Sequence, residues 1–295
     1  MTALAEPRAE ARPRTVSERI VRSLNKTPIH IALGLIALIW LAPTVGLFVT
    51  SFRPRTDIQV TGWWESFLQF RYTLSNYEQV LTAQGMLDAF RNTFIIAVPS
   101  TLIPLTLASM AAYAFSWLRF PLRDTLFLLV IALLMIPAQV AFIPLLKMFS
   151  VTGLLNGYGA IWLTHTAFAL PFGIFLLRNF FITLPKDLIE AARIDGASTI
   201  GVFRKIVVPL SVPAIAAYGI FQFLWVWNDL LMALVFVQRG DSWPMTKAIQ
   251  NLLSQYGTEW HLLAAGAFIL MAVPLVVFFS LQRYFVQGLL AGSVK

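Results

Sequence analysis

Charged residues make up only 12% of this 295-residue sequence, so the places where they gather are informative. Glu190-Ala191-Ala192-Arg193-Ile194-Asp195-Gly196-Ala197 is a polar interlude between two long apolar segments. Pro185 fits the first position of a helix, where a missing N–H costs nothing. Asp187 and Glu190 then lie near the positive end of that helix. Leu188, Ala191, Ala192 and Asp195 fall on one face at helical spacing, and the alanines let another protein approach closely. Gly196 permits a turn that a side chain resists. Ser198 is placed to cap a second helix with an apolar stripe of Ile200, Phe203 and Val207, and Pro209 stiffens the entry into the next span. The chemistry offered here is protein docking, and no catalytic residue is assigned.

A second group of polar side chains lies inside apolar runs: Gln139 between Pro137 and Pro144, then Gln222, Trp225, Asn228 and Asp229. Gln139 has two readings, lining a path or bonding to a neighbouring helix. Asn228 and Asp229 are functional candidates because ionisable groups in a span are costly, with a water-facing helix end as the equal alternative. Trp225 shares one helical face with both at spacings of three and four. His165 has no second ligand at metal spacing, so it reads as a packing residue. Zero cysteines exclude disulfides and thiolate sites, and no metal or cofactor is expected.

The elements that must position these groups are membrane helices. The chain is 58% hydrophobic, while a soluble domain carries about 25% charged residues. Uncharged runs cover 27–52, 92–118, 125–146, 148–177, 206–228 and 260–282. Each exceeds the roughly 20 residues needed to cross a bilayer core. Only helices or closed barrels can span lipid, and the alternating segments of a barrel are missing. The expected fold is therefore all-α, a polytopic membrane protein with six transmembrane helices over residues 28–284.

Residues 1–27 form a basic arm that is flexible or lies on the surface, and 285–295 form a tail. Ser75 to Glu78 fits a capping box for a short helix over 76–82. Trp63 and Trp64 suit a membrane interface. The third span is expected over 125–145, the fourth over 158–181 and the fifth from Pro213, with 238–259 a connecting loop. With six helices both termini share a side, which holds 15 of the 22 Lys and Arg residues against 7 on the other. The positive-inside rule puts the termini and the Glu190 stretch in the cytoplasm. No basic run is interleaved with aromatics as a nucleic-acid surface needs.

The pattern Glu-Ala-Ala, Asp-Gly-Ala, Pro-Leu and Pro from Glu190 to Pro213 resembles the EAA loop of ABC-importer permeases. The resemblance implies a type I importer permease fold in a bacterial inner membrane. It makes 185–207 a coupling loop, with Glu190, Ala191, Ala192, Arg193, Asp195, Gly196 and Ala197 docking on an ATPase subunit. Arg193 and Lys205 either add charge contacts there or stay solvated. Further stretches are similar to the carbohydrate branch, the smaller maltose-system permease: Asn76-Tyr77, Arg91-Asn92-Thr93, Met135-Ile136-Pro137, Trp227-Asn228-Asp229 and Arg283-Tyr284-Phe285-Val286-Gln287-Gly288. Ser51-Phe52-Arg53-Pro54 with Gly62-Trp63-Trp64 looks like permeases serving α-glucosides.

The partners implied are a second permease subunit, two ATPase subunits, an extracellular or periplasmic solute-binding protein and a carbohydrate. Membrane lipid surrounds them, and nucleic acid is not a partner. ATP is hydrolysed elsewhere, because this chain has no G-x-x-x-x-G-K-S/T run to cradle phosphates. A sugar path needs amides or carboxylates beside aromatics, which Gln139, Trp225, Asn228 and Asp229 supply. The family's terminal segment implies that 287–295 reaches the ATPase, against a free terminus. Polyamine or glycerol-phosphate importers share the loop. A secondary transporter is the more distant alternative and calls for paired broken helices with coupling carboxylates. The absence of cysteine makes the orientation testable: Ser198→Cys should resist an impermeant maleimide applied to intact cells, and labelling from outside would reverse the topology.

Overall fold

The computed structural model describes residues 16–82, 85–256 and 259–291. Residues 1–15 of the expected arm and 292–295 of the expected tail lie outside them. Among the described residues the elements are helices and turns, with no strand. The principal helices are α1 (Val16–Ser51), α2 (Ser75–Thr82), α3 (Met86–Trp117), α4 (Arg123–Leu133), α5 (Phe142–Val151) and α6 (Gly159–Phe181). They continue as α7 (Lys186–Ile194), α8 (Thr199–Val202), α9 (Val212–Trp227), α10 (Leu231–Phe236), α11 (Met245–Tyr256) and α12 (Trp260–Ala291). Four unbroken helical stretches are long and apolar enough to cross a membrane: Thr27–Ser51, Met86–Trp117, Gly159–Phe181 and Trp260–Arg283. Two bent pairs bring the number to six if each is one span.

Four features differ from those the sequence suggests. α1 begins at Val16, so the second half of the arm is continuous with the first span, and α12 runs through most of the tail. The third span is not one helix. Its halves, 123–133 and 138–151, meet at 93° because Pro137 has no N–H and the residues before it tighten into i→i−3 bonds. The connection 238–259 contains the amphipathic helix α11, whose Met245, Ala248, Ile249 and Leu252 pack on α2, α3 and α12. At the start of α2 the expected capping box gives way to Thr73, whose hydroxyl accepts the Ser75 N–H at 3.1 Å.

The bundle core is α3, α6, α9 and α12, and three prolines inside two of these helices, α3 and α12, decide how they join. Pro99 leaves Ile95 O in α3 without its i+4 donor, and Trp162 Nε1 of α6 donates to it at 2.9 Å. Pro104 vacates Ser100 O in the same helix, and Gln222 Nε2 of α9 donates to it at 3.2 Å. Pro274 vacates Leu270 O in α12, and Trp227 Nε1 of α9 donates to it at 2.9 Å. A carbonyl stripped of its donor cannot turn to water inside lipid, so each of these bonds has no local substitute. Close packing supports them, since a Cβ on Gly173 of α6 would sit 2.4 Å from the buried Tyr218 ring of α9.

An ordinary side-chain bond between membrane helices is worth about 0.6 kcal/mol. A buried carbonyl left unsatisfied costs more, about 1–3 kcal/mol. Gln222→Leu should therefore lower the thermal midpoint of the detergent-solubilised complex by that larger cost. Pro104→Ala returns an N–H to Ser100 O and should recover most of the loss in the double variant. Thermal melts of the three variants test this, and a purely additive double variant would contradict it.

Candidate functional site

α7 and α8 build the turn singled out from the sequence. Pro185 stands just before α7 at φ −59°, ψ 122°, as its N-cap rather than its first residue. At the other end Gly196 N–H donates to Arg193 O at 3.1 Å and Ala197 N–H to Ala192 O at 2.9 Å. This paired closure requires a left-handed residue, and Gly196 has φ +81°. Ser198 Oγ then accepts the Gly201 N–H at 3.1 Å and caps α8. A π-helical turn over Phe203–Val207 comes next and shifts the register. Val202 and Val207 are buried with Phe203 and Ile206 against them, while Ile200 is 66% exposed. The expected stripe through Ile200 is corrected accordingly.

Burial divides α7 cleanly. Ile189 is buried and Ala192 half-buried against the same core. Leu188, Glu190, Ala191, Arg193, Asp195, Gly196 and Ala197 are all exposed. The small-residue face is thus Leu188, Ala191 and Asp195, and Ala192 turns inward. The turn is fixed to the end of α3 by side chains. Tyr113 Oη donates to Thr199 O at 3.1 Å, and Arg193 Nη2 donates to Trp117 O at 3.0 Å. Trp117 Nε1 in turn donates to Phe181 O at 3.2 Å. Arg193 therefore caps the carbonyl end of α3, a role its place in the sequence does not reveal.

The second group is not one cluster. A largely apolar cavity of about 630 Å3 lies between the α4–α5 bend, α6 and α9, with Phe172, Gln222 and Trp225 in its wall. Trp225 is 60% exposed at its edge. Gln139 is exposed, and the cavity is lined instead by its turn neighbours Ala138 and Ala141. α9 ends at Trp227, so the face expected to join Trp225 to Asp229 does not extend that far. Asn228 is exposed and its Nδ2 donates to Leu224 O at 2.8 Å. Asp229 accepts the Met232 and Ala233 N–H groups at 3.3 and 3.1 Å, which starts α10. Its Oδ2 lies 3.8 Å from the buried Nε2 of His165, too far for a hydrogen bond.

The polar ties that hold the connecting segments were not legible in the sequence. Asn92 Nδ2 donates to Asp241 O and Trp243 O, and Tyr158 Oη donates to Asn92 Oδ1 at 2.6 Å. Asn76 Nδ2 donates to Ser51 O and Arg53 O, closing the end of α1. Lys247 of α11 donates to Val237 O beyond α10, and burial pushes its ammonium below the usual lysine range. The available signal at Asn92 was an amide near the start of a long apolar run, between Arg91 and Thr93.

The family described as binding-protein-dependent transport system inner membrane component matches residues 104–290, a stretch that contains the turn and the cavity. The chain belongs to this family. The permease is 54% identical over 276 residues to the osmoprotective compounds uptake permease protein GgtD of Synechocystis sp., covering 92% of this chain and 93% of the relative. It is 51% identical over 231 residues to the alpha-glucoside transport system permease protein AglG of Rhizobium meliloti, covering 76% and 61%. It is 30% identical over 278 residues to the melibiose/raffinose/stachyose import permease protein MelC of Bacillus subtilis, covering 94% and 99%. Among solved structures it is similar to a chain of a bacterial ABC transporter that imports alginate, with TM-score 0.67, 15% identity and coverage of 91% and 99%. At that identity the likeness concerns the fold.

The turn itself yields a stability prediction. A valine at Gly196 must adopt a left-handed backbone that costs roughly 1–2 kcal/mol. Gly196→Val should open the end of α7 to limited proteolysis, while Gly196→Asn, which tolerates φ above zero, should stay nearly as resistant as the parent. Equal resistance of both variants would remove the conformational requirement.

Proposed function

We propose that this permease is one half of the membrane channel of an ATP-driven importer for carbohydrate, an α-glucoside or related oligosaccharide. The observation that carries the reading is the exposed turn from Glu190 to Ala197, held rigidly on α3 and α6 while its small face remains open. Docked in an ATPase subunit, such a turn transmits nucleotide state into the bundle through Tyr113, Trp117 and Arg193. The termini and the turn are on the cytoplasmic side in this reading. The remaining partners are a second permease subunit, two ATPase subunits and a solute-binding protein on the outer side. The similarity to an alpha-glucoside permease and to a melibiose/raffinose/stachyose permease supports the sugar class.

For the path, the cavity beside Trp225 suits a sugar ring, whose apolar face packs on aromatic carbon while its hydroxyls take polar neighbours. Trp225 supplies the ring and Asn228 an exposed amide nearby. Asp229 acts by holding α10, and Gln139 borders the bend from outside the cavity. A second reading has its own support, since the relative named for osmoprotective compounds is comparably similar. Titrating the cognate binding protein with an α-linked disaccharide and with an osmoprotectant separates the two substrate classes.

Coupling is tested in the assembled complex with Ala191→Trp, which crowds the open face without touching the core. Uptake should fall at least tenfold while the complex still assembles and hydrolyses ATP, because misfitting the turn by about 1.4 kcal/mol in only one of the two transport states shifts their ratio by that factor. Ordinary uptake in this variant would refute the assignment of the turn.

A further inference from the structure

The segment after α1 does not stand away from the bundle. Trp63 packs on Gly46 so closely that a Cβ at Gly46 would lie 2.9 Å from the indole nitrogen. Gly46 is five residues before Ser51, so the segment folds back about 7.5 Å along the helix from its end. Thr73 N–H donates to Phe52 O at 2.7 Å and closes the fold-back. Trp63 also touches the rings of Trp64 and Phe67, with centroids 6.0 and 6.3 Å away.

The face that this fold-back presents is apolar and bare. Trp64 is 62% exposed, Leu68 83% and Phe70 76%. Phe70 holds a left-handed φ of +50°, a conformation unfavourable for a phenylalanine, and still turns its ring outward. A contiguous apolar patch of this kind on a soluble surface marks something that covers it. The patch lies beyond the end of α1, whose most apolar 18-residue window within Thr27–Ser51 is only 6% buried within the chain. Arg71 is exposed beside it, with its guanidinium 3.7 Å from Asp57. Tryptophan with a neighbouring arginine, at the end of a span and bent back along it, matches the layer where acyl chains give way to phosphate.

We infer that residues 60–74 form a foot lying in the headgroup layer, with Trp64, Leu68 and Phe70 in phospholipid and Arg71 at the phosphate level. The foot anchors α1 at a fixed depth, which matters because α1 has little packing of its own. The test uses the cysteine-free background and the complete complex in phosphatidylethanolamine–phosphatidylglycerol vesicles. Nitroxide labels go on Leu68→Cys and Phe67→Cys, with Asp241→Cys as a water-exposed control, and sugar uptake by each verifies assembly. Oxygen should relax the labels at 67 and 68 more strongly than a water-soluble nickel chelate does, with the order reversed at 241. Stronger relaxation by the chelate at 67 and 68 would overturn the inference. Protection from both reagents would overturn it too, by placing protein on the patch.

Discussion

Every backbone carbonyl in the bilayer core needs a donor, and three prolines remove donors from α3 and α12 of this permease. The structure meets that demand with Trp162, Gln222 and Trp227, each reaching across to the carbonyl that a proline vacated. These bonds join α3 to α6, α3 to α9 and α9 to α12, which are also the principal packing partners in the bundle. The kinks that prolines introduce are thereby fixed at particular partners. A helix bent by proline and left unpaired would be a hinge; here these three vacancies are sockets for neighbours.

α3 is central to that arrangement and to the turn. Its middle holds two of the vacated carbonyls, and its last turns carry Tyr113 and Trp117, which hold α7 and α8. One helix thus touches both the turn and, through Ser100 O, the cavity wall. Gln222 stands at the junction, because it lines the cavity and also holds Ser100 O.

Much of this was readable from the sequence, and the misses share a cause. Apolar run length located the spans, since crossing lipid is a nearly one-dimensional requirement. Gly196 and Ser198 announced the turn because a left-handed residue and a cap are local needs. Ala192 and Ile200 were misplaced because a π-helical turn and the core beneath it set which side faces inward, and neither leaves a local mark. The face running from Trp225 to Asp229 assumed an unbroken helix, whereas the helix stops at Trp227 and a new one starts on Asp229. α11 was overlooked since Gly, Pro and Trp before it masked the spacing of Met245, Ala248, Ile249 and Leu252. Gln222 was recognised as polar in a span, but its purpose depended on pairing it with Pro104, over a hundred residues away.

The proline vacancies also bear on how the chain is made. Ile95 and Ser100 leave the ribosome 67 and 122 residues before the side chains that will bond them. At about 5–20 residues per second, Ser100 O waits roughly 6–24 s for Gln222. Until then the partner that Ser100 O has in the folded bundle does not yet exist. Each carbonyl left open in that interval costs about 1–3 kcal/mol, so α3 gains stability in steps, first when Trp162 and then when Gln222 arrives.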